Sequence, residues 1–306
     1  MLVLKPTSND KVWGTKRLYE YCGDQSIDKV GSVYTVSGIK EISNEILFGD
    51  DNKDLHSAVK NNPEKFGLPE GVDYPVIIAM TGADEDLSIQ VHPTDDYAKE
   101  HENKEIGKSE SWYFITPPEK GFIYTESLLE DKNLIREKIL AGKYEEIIDK
   151  VEVKQDEIAY IQSGTLHALT KGSLVYEIQQ STDITYRFYD YDRLDSKGNK
   201  RELHLEDAIA TLNTDSKAEI EKFDLNKPVE NEPYILLRTY LEGDYTNNEK
   251  IAQAITVTKG EMIVEGHLLK QGMSCLVLPN ETINISKASE EVVIATPKLY
   301  FRGANE

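Results

Sequence analysis

Leu87-Ser-Ile-Gln-Val-His-Pro93 is the stretch on which the fold turns. From Leu87 to His92 apolar and polar residues alternate, the period of a strand with one packed face. Ser88, Gln90 and His92 therefore share the other face, and Pro93 closes the run. Working outward, the same texture recurs in Val33-Tyr-Thr-Val-Ser37, Val76-Ile-Ile-Ala-Met80, Trp112-Tyr-Phe-Ile115, Ile158-Ala-Tyr-Ile161, Leu174-Val-Tyr-Glu-Ile-Gln179 and Thr185-Tyr-Arg-Phe-Tyr-Asp190. These runs are β-branched or aromatic and are bounded by Gly, Pro or Asp turns. Many short strands and few helices predict a mainly β protein, a sandwich or jelly roll.

Helical pattern is confined to a few places. Ser127 with Glu130 reads as a capping box opening a helix that runs to Leu140, with Gly142 beyond its end. A second helix is expected over residues 205–212 and a weaker one near 54–61. Residues 215–232 are charged and contain Pro228, which reads as a linker. Strands resume after it, and Gly272-Met-Ser-Cys-Leu-Val-Leu-Pro279 echoes Gln155–Gln162 in shape, as two related β-barrels in tandem would. The expected division is residues 1–225, carrying the helical insertions and the polar strand faces, and residues 226–306, a second β domain.

Composition bounds the partners. The net charge is -20, which argues against nucleic acid and against an anionic membrane, since both need a dense Lys/Arg face. No apolar run approaches a membrane helix and no signal peptide is evident, so a cytoplasmic setting is expected. Cys22 and Cys275 are too few and too distant for a disulfide framework.

Four segments carry the polar chemistry. On the first strand face, Gln90 and His92 read either as metal ligands or as a hydrogen-bonded pair inside a barrel. In Gly107-Lys-Ser-Glu-Ser-Trp-Tyr113, Glu110 enters an apolar run, where a carboxylate is costly unless a cation or donors meet it; the other reading is a strand-edge Glu in solvent. Ser163-Gly-Thr-Leu-His-Ala168 offers His167 after a turn. Two His, one Glu and one Gln make a possible N/O site for Zn²⁺ or a similar ion. In the fourth segment, alternation puts Glu177 with Gln179 and Arg187 with Thr185 and Tyr189. An inward Arg needs an anion, either a protein carboxylate or a substrate phosphate. His56, His101, His204 and His267 read as ordinary.

These segments, in this order, resemble the type I phosphomannose isomerase family (mannose-6-phosphate isomerases of the cupin superfamily) in its short bacterial form. The matching strings are Val12-Trp-Gly14, Leu87–Pro93, Gly107–Tyr113, Gly164–Ala168, Glu177–Arg193 and Arg201-Glu-Leu-His204. The resemblance implies a double cupin, two jelly-roll barrels, with one zinc ion in the first barrel held by Gln90, His92, Glu110 and His167. It implies interconversion of mannose 6-phosphate and fructose 6-phosphate through a cis-enediol, by a monomer or homodimer acting on a small sugar phosphate. Arg187 matches the active-site arginine, with Lys108 and Glu177 as the other catalytic candidates. Lys108, Ser109, Asp183 and Trp13 are the expected substrate contacts. Lys108 would serve as the base if burial lowered its pKa.

The chain departs from the family where a lysine has become Ala79, an aspartate Gly82, and Gly-Glu-x-Trp has become Gly31-Ser-Val-Tyr34. Gln155 and Gln162 replace the cupin turn Gly and Pro. These departures leave open a relative that binds a sugar or sugar phosphate without isomerising it, or one that isomerises a different sugar.

Overall fold

A computed structural model of the chain describes residues 1–194 and 198–299. It is mainly β, and the chain divides into two compact units. One unit combines residues 1–9, residues 16–80 and the C-terminal part from Phe223; the other comprises residues 10–15 and 81–222. The expected division at 225/226 falls near the change at Phe223, but the chain's beginning groups with its end. The cause is pairing: the strand Leu2–Leu4 adds antiparallel to Ser274–Val277, with Leu2 opposite Leu276.

In that first unit the C-terminal strands form a sheet in the order Pro228–Glu230, Tyr234–Thr239, Glu291–Pro297, Gln253–Lys259, Ser274–Val277, Leu2–Leu4 and Ile46–Phe48. A four-stranded sheet, Gly243–Thr246, Thr282–Lys287, Glu261–Val264 and His267–Lys270, accompanies it. Met1, Val3, Ile255, Val257, Cys275, Ile283 and Ile294 are among their shared core. The predicted linker instead contains two short strands. Glu219–Lys222 pairs with Glu157–Ile161, and Pro228–Glu230 pairs with Tyr234–Thr239. Pro228 is tolerated because it opens a strand at the sheet's edge, where a missing N–H breaks no inner ladder.

The second unit is built from antiparallel ladders. Glu219–Lys222, Glu157–Ile161, Glu110–Thr116 and Leu174–Gln180 are successive neighbours in one. Tyr186–Tyr189, Ile89–Val91, His167–Ala168, Phe122–Ser127 and Ile148–Glu152 form the other. Alternation sorts their side chains as the sequence predicts. Ile89 and Val91 pack with Tyr124, Phe188 and two helices, Lys132–Leu140 and Leu205–Thr211, on the outer face of the five-stranded sheet. Trp112, Phe114, Ile123, Ala159, Ile161 and Val175 pack together in a second cluster that draws on both ladders.

The helix at 132–140 starts later than the capping-box reading had it. Asp131 is the N-cap, accepting from Asn133 N and Leu134 N, while Ser127 ends a strand and its hydroxyl donates to Leu129 O. Ser127 is still held in the strand Phe122–Ser127, so the cap falls to Asp131. The helices expected near 54–61 and 205–212 form as Leu55–Asn61, capped by Asp54, and Leu205–Thr211. No helix among the described residues is long and apolar enough to cross a membrane.

Candidate metal centre

Strand register brings the polar residues of the second unit into line. Gln90 lies opposite His167 on one side and Arg187 on the other. On the other ladder Glu110 lies opposite Gln179, and Trp112 opposite Glu177. Each polar residue falls on the face its period dictates, because Ile89, Val91, Tyr186 and Phe188 turn the opposite way into the outer cluster.

The loops are fixed by two close backbone approaches. Gly107 leaves no room for a side chain, since a Cβ would lie 2.1 Å from Pro93 O. That contact, with Lys108 N donating to Pro93 O (3.1 Å), binds the loop after His92 to the start of the Glu110 strand. Gly164 has φ +87 and its N–H donates to His92 O (2.8 Å), which ties His92 to the turn before His167. Ser109 reinforces the link: its hydroxyl accepts from Ser163 N (3.0 Å), and its own N–H donates to Gln180 Oε1 (2.5 Å).

His92, Glu110 and His167 converge in the interior, all buried. His92 Nδ1 lies 2.9 Å from Ile184 O and His167 Nδ1 lies 2.8 Å from Thr165 O. A carbonyl only accepts, so both rings carry their proton on Nδ1 and present a bare lone pair on Nε2. Those two Nε2 atoms are 3.2 Å apart. Glu110 Oε2 is 3.3 Å from the first and Oε1 3.5 Å from the second. Burial drives both imidazole pKa values down, His92 to about 3, so neither ring supplies a proton to relieve the crowding. Glu110 Oε2 is buried, with the Lys108 ammonium as its charged neighbour.

Lys108 meets Glu110 Oε2, but no proton lies between the two imidazole nitrogens, and this donor set calls for a cation. Carbonyl-anchored histidines are also the usual support of a metal ligand. Gln90 reaches the same point, its Nε2 3.3 Å from His167 Nε2 and its Oε1 accepting from Ser88 Oγ (3.1 Å). A half-turn of the amide exchanges that nitrogen for the oxygen a metal takes. The residues present fit a divalent ion.

Lys108 stands beside the cluster, its Nζ 3.1 Å from Glu110 Oε2, and both side chains are almost wholly buried. Burial would lower the lysine pKa, but Glu110, Glu177 and Asp183 outweigh it and hold the pKa above its ordinary value. Lys108 thus stands as a cation beside the Glu110 carboxylate. Glu110 is held well below the ordinary carboxylate range: burial opposes this, and the Lys108 charge prevails. Glu177, partly buried and accepting from Thr81 Oγ1 (2.6 Å), is raised to about 7 by burial and then by the Glu110 charge. Arg187 is partly buried, and Asp183 is exposed.

Trp13, expected against substrate, packs in the interior cluster with Trp112, which stands edge-on to His167 at 5.6 Å. Its carbonyl accepts from Asp84 N (2.9 Å). One contact was not expected from the sequence, where His204 read as ordinary. His204 exchanges backbone contact with the arginine strand: its N–H donates to Arg187 O (2.9 Å), and its Nδ1 accepts from Arg187 N (3.3 Å). The only sequence signal was its place in the Arg201–His204 string.

No protein-family model matches the chain. Among characterised proteins, the mannose-6-phosphate isomerase of Bacillus subtilis is 35% identical over 219 residues, covering 70% of this chain and 69% of that protein. The chain belongs to the mannose-6-phosphate isomerase family. The isomerase of Streptococcus mutans is 36% identical over 216 residues, covering 69% of this chain and 67% of its own length. The crystal structure of the mannose 6-phosphate isomerase from Bacillus subtilis superposes with a TM-score of 0.80 at 27% identity, covering 96% of this chain and 99% of that one. The mainly β architecture is therefore that of this isomerase family.

Proposed function

We propose that this chain interconverts mannose 6-phosphate and fructose 6-phosphate, using one zinc ion held by Gln90, His92, Glu110 and His167. The observation that carries the reading is the pair of bare Nε2 atoms 3.2 Å apart beside the Glu110 carboxylate. Zinc is favoured by spacing. Ligands about 2.0–2.1 Å from a tetrahedral centre stand about 3.3 Å from one another. The separations here run from 3.2 to 3.5 Å, too tight for a larger ion with many oxygen ligands.

When bound, the metal supplies Lewis acidity toward the sugar's carbonyl and hydroxyl oxygens. The chain's own residues divide the remaining work. Glu177 faces the interior from the strand opposite Trp112, and an acid titrating near neutrality is suited to take the C2 proton and return it at C1. Lys108, paired with Glu110, is placed to offset negative charge that develops on the sugar oxygens. Arg187, in register with Gln90, supplies a second cation at the same row.

The test is formation of fructose 6-phosphate by purified protein, with metal content measured on the same sample. Turnover should scale with zinc up to one ion per chain, vanish with chelator and return with zinc. A fully zinc-loaded protein that forms no fructose 6-phosphate at neutral pH would overturn the reading.

A further inference from the structure

Glu177 is held from one side. Thr81 Oγ1 donates to its Oε2 at 2.6 Å, the length of a hydroxyl bond to an ionised carboxylate. Among the described residues the other oxygen, Oε1, accepts no hydrogen bond. The two ends of one carboxylate are therefore unlike, one occupied and one open.

The donor is rigidly placed. Thr81 is buried in the strand Val76–Gly82, and a β-branched side chain has few rotamers there. Two residues on, Ala83 N donates to Ser173 O (3.0 Å), and Gly172 N donates to Ala83 O (2.8 Å). These bonds fasten the segment after Thr81 to the start of the Glu177 strand, Leu174–Gln180. Space-filling at position 81 needs only the shape of a valine, so the hydroxyl adds something that shape does not. What it adds is a neutral donor to the carboxylate. Burial and the Glu110 charge oppose the ionised form of Glu177, and Lys108 and the Thr81 hydroxyl favour it. With the Thr81 hydrogen on Oε2, a proton leaving a sugar carbon is received at Oε1, and the carboxylate cannot swing to offer its other end.

We infer that Thr81 is the positioning residue for Glu177: its hydroxyl fixes the carboxylate and leaves Oε1 as the atom that takes the proton from the sugar. This rests on the isomerase reading above.

The test uses the full-length, zinc-loaded protein and the variants Thr81→Val and Thr81→Ser. Thr81→Val should lower kcat for mannose 6-phosphate about tenfold at neutral pH, with KM within about threefold of wild type. The acid limb of its kcat profile should move to higher pH, because the base has lost a donor that favours its ionised form. Thr81→Ser should restore most of kcat and return the limb to its wild-type position. A kcat loss under about threefold in Thr81→Val, an unmoved acid limb, or an equal loss in Thr81→Ser would overturn the inference. Should Thr81→Val fail to fold, Thr81→Ala carries the same comparison. Should the wild-type chain form no fructose 6-phosphate, the isomerase reading fails, and carbon NMR of labelled glutamate, with the Glu177 resonance assigned through Glu177→Gln, decides this one. A Glu177 titration midpoint higher in Thr81→Val by about half a pH unit or more, and unmoved in Thr81→Ser, upholds the contact; any smaller change in Thr81→Val overturns it.

Discussion

Lys108→Met exposes the dependence of the Glu110 carboxylate on two cations, the lysine and the metal. The Nζ–Oε2 distance is 3.1 Å, which at an effective dielectric of about 20 gives an attraction on the order of 5 kcal/mol. Without metal, the substitution strands a buried carboxylate facing two imidazole lone pairs, and breaking such a pair costs about 3–5 kcal/mol. With metal bound, the ion neutralises the carboxylate, and the expected loss shrinks to about 1 kcal/mol. The difference, about 3 kcal/mol, must reappear as metal affinity: by linkage Lys108→Met should bind zinc about 10²-fold more tightly than wild type. Urea unfolding in chelator and in saturating zinc measures the two losses, and competition with a chromogenic chelator measures the affinity. Equal losses in both conditions, or zinc binding no tighter than wild type, would refute the idea that lysine and metal serve one carboxylate.

Arg187→Ala should lower kcat/KM for mannose 6-phosphate by about 10²-fold or more while leaving the unfolding midpoint nearly unchanged, since the guanidinium pairs with no described residue; unimpaired turnover would remove Arg187 from the site. Gly107→Ala places a Cβ 2.1 Å from Pro93 O and should destabilise the protein by about 1–3 kcal/mol and reduce zinc occupancy, read by urea unfolding and metal analysis. Glu177 gives a pH signature in metal-free protein. Its folded pKa is raised from 4.5 to about 7, so its contribution is fully present below 4.5 and lost as pH rises through 7. Relative to Glu177→Gln, wild type should lose on the order of 2 kcal/mol between those limits, allowing for partial exposure; a difference independent of pH would contradict the raised value.

Much of the centre was legible because it lies on strands whose period assigns a face to every residue. Alternation alone paired Gln90 with His92 and Glu177 with Gln179, and the string resemblance joined them to Glu110 and His167. What stayed hidden depends on long-range pairing or on competition between equivalent local signals. Nothing in Leu2–Leu4 announces that its partner is Ser274–Val277, because register between distant strands is set by the assembled core. Residues 219–222 read as linker because an edge strand can be almost entirely polar. Ser127 and Asp131 both look like caps, and only the end of the preceding strand decides between them.

Both metal-facing rings take their orientation from peptide carbonyls, those of Ile184 and Thr165. No side-chain exchange at either position deletes a peptide oxygen. The aim of the two imidazoles is therefore inherited from the path of the chain, and the neighbouring sequence is free to drift as long as that path survives. A chain that keeps this path can exchange the side chains at both positions and leave the two rings pointed at the same spot.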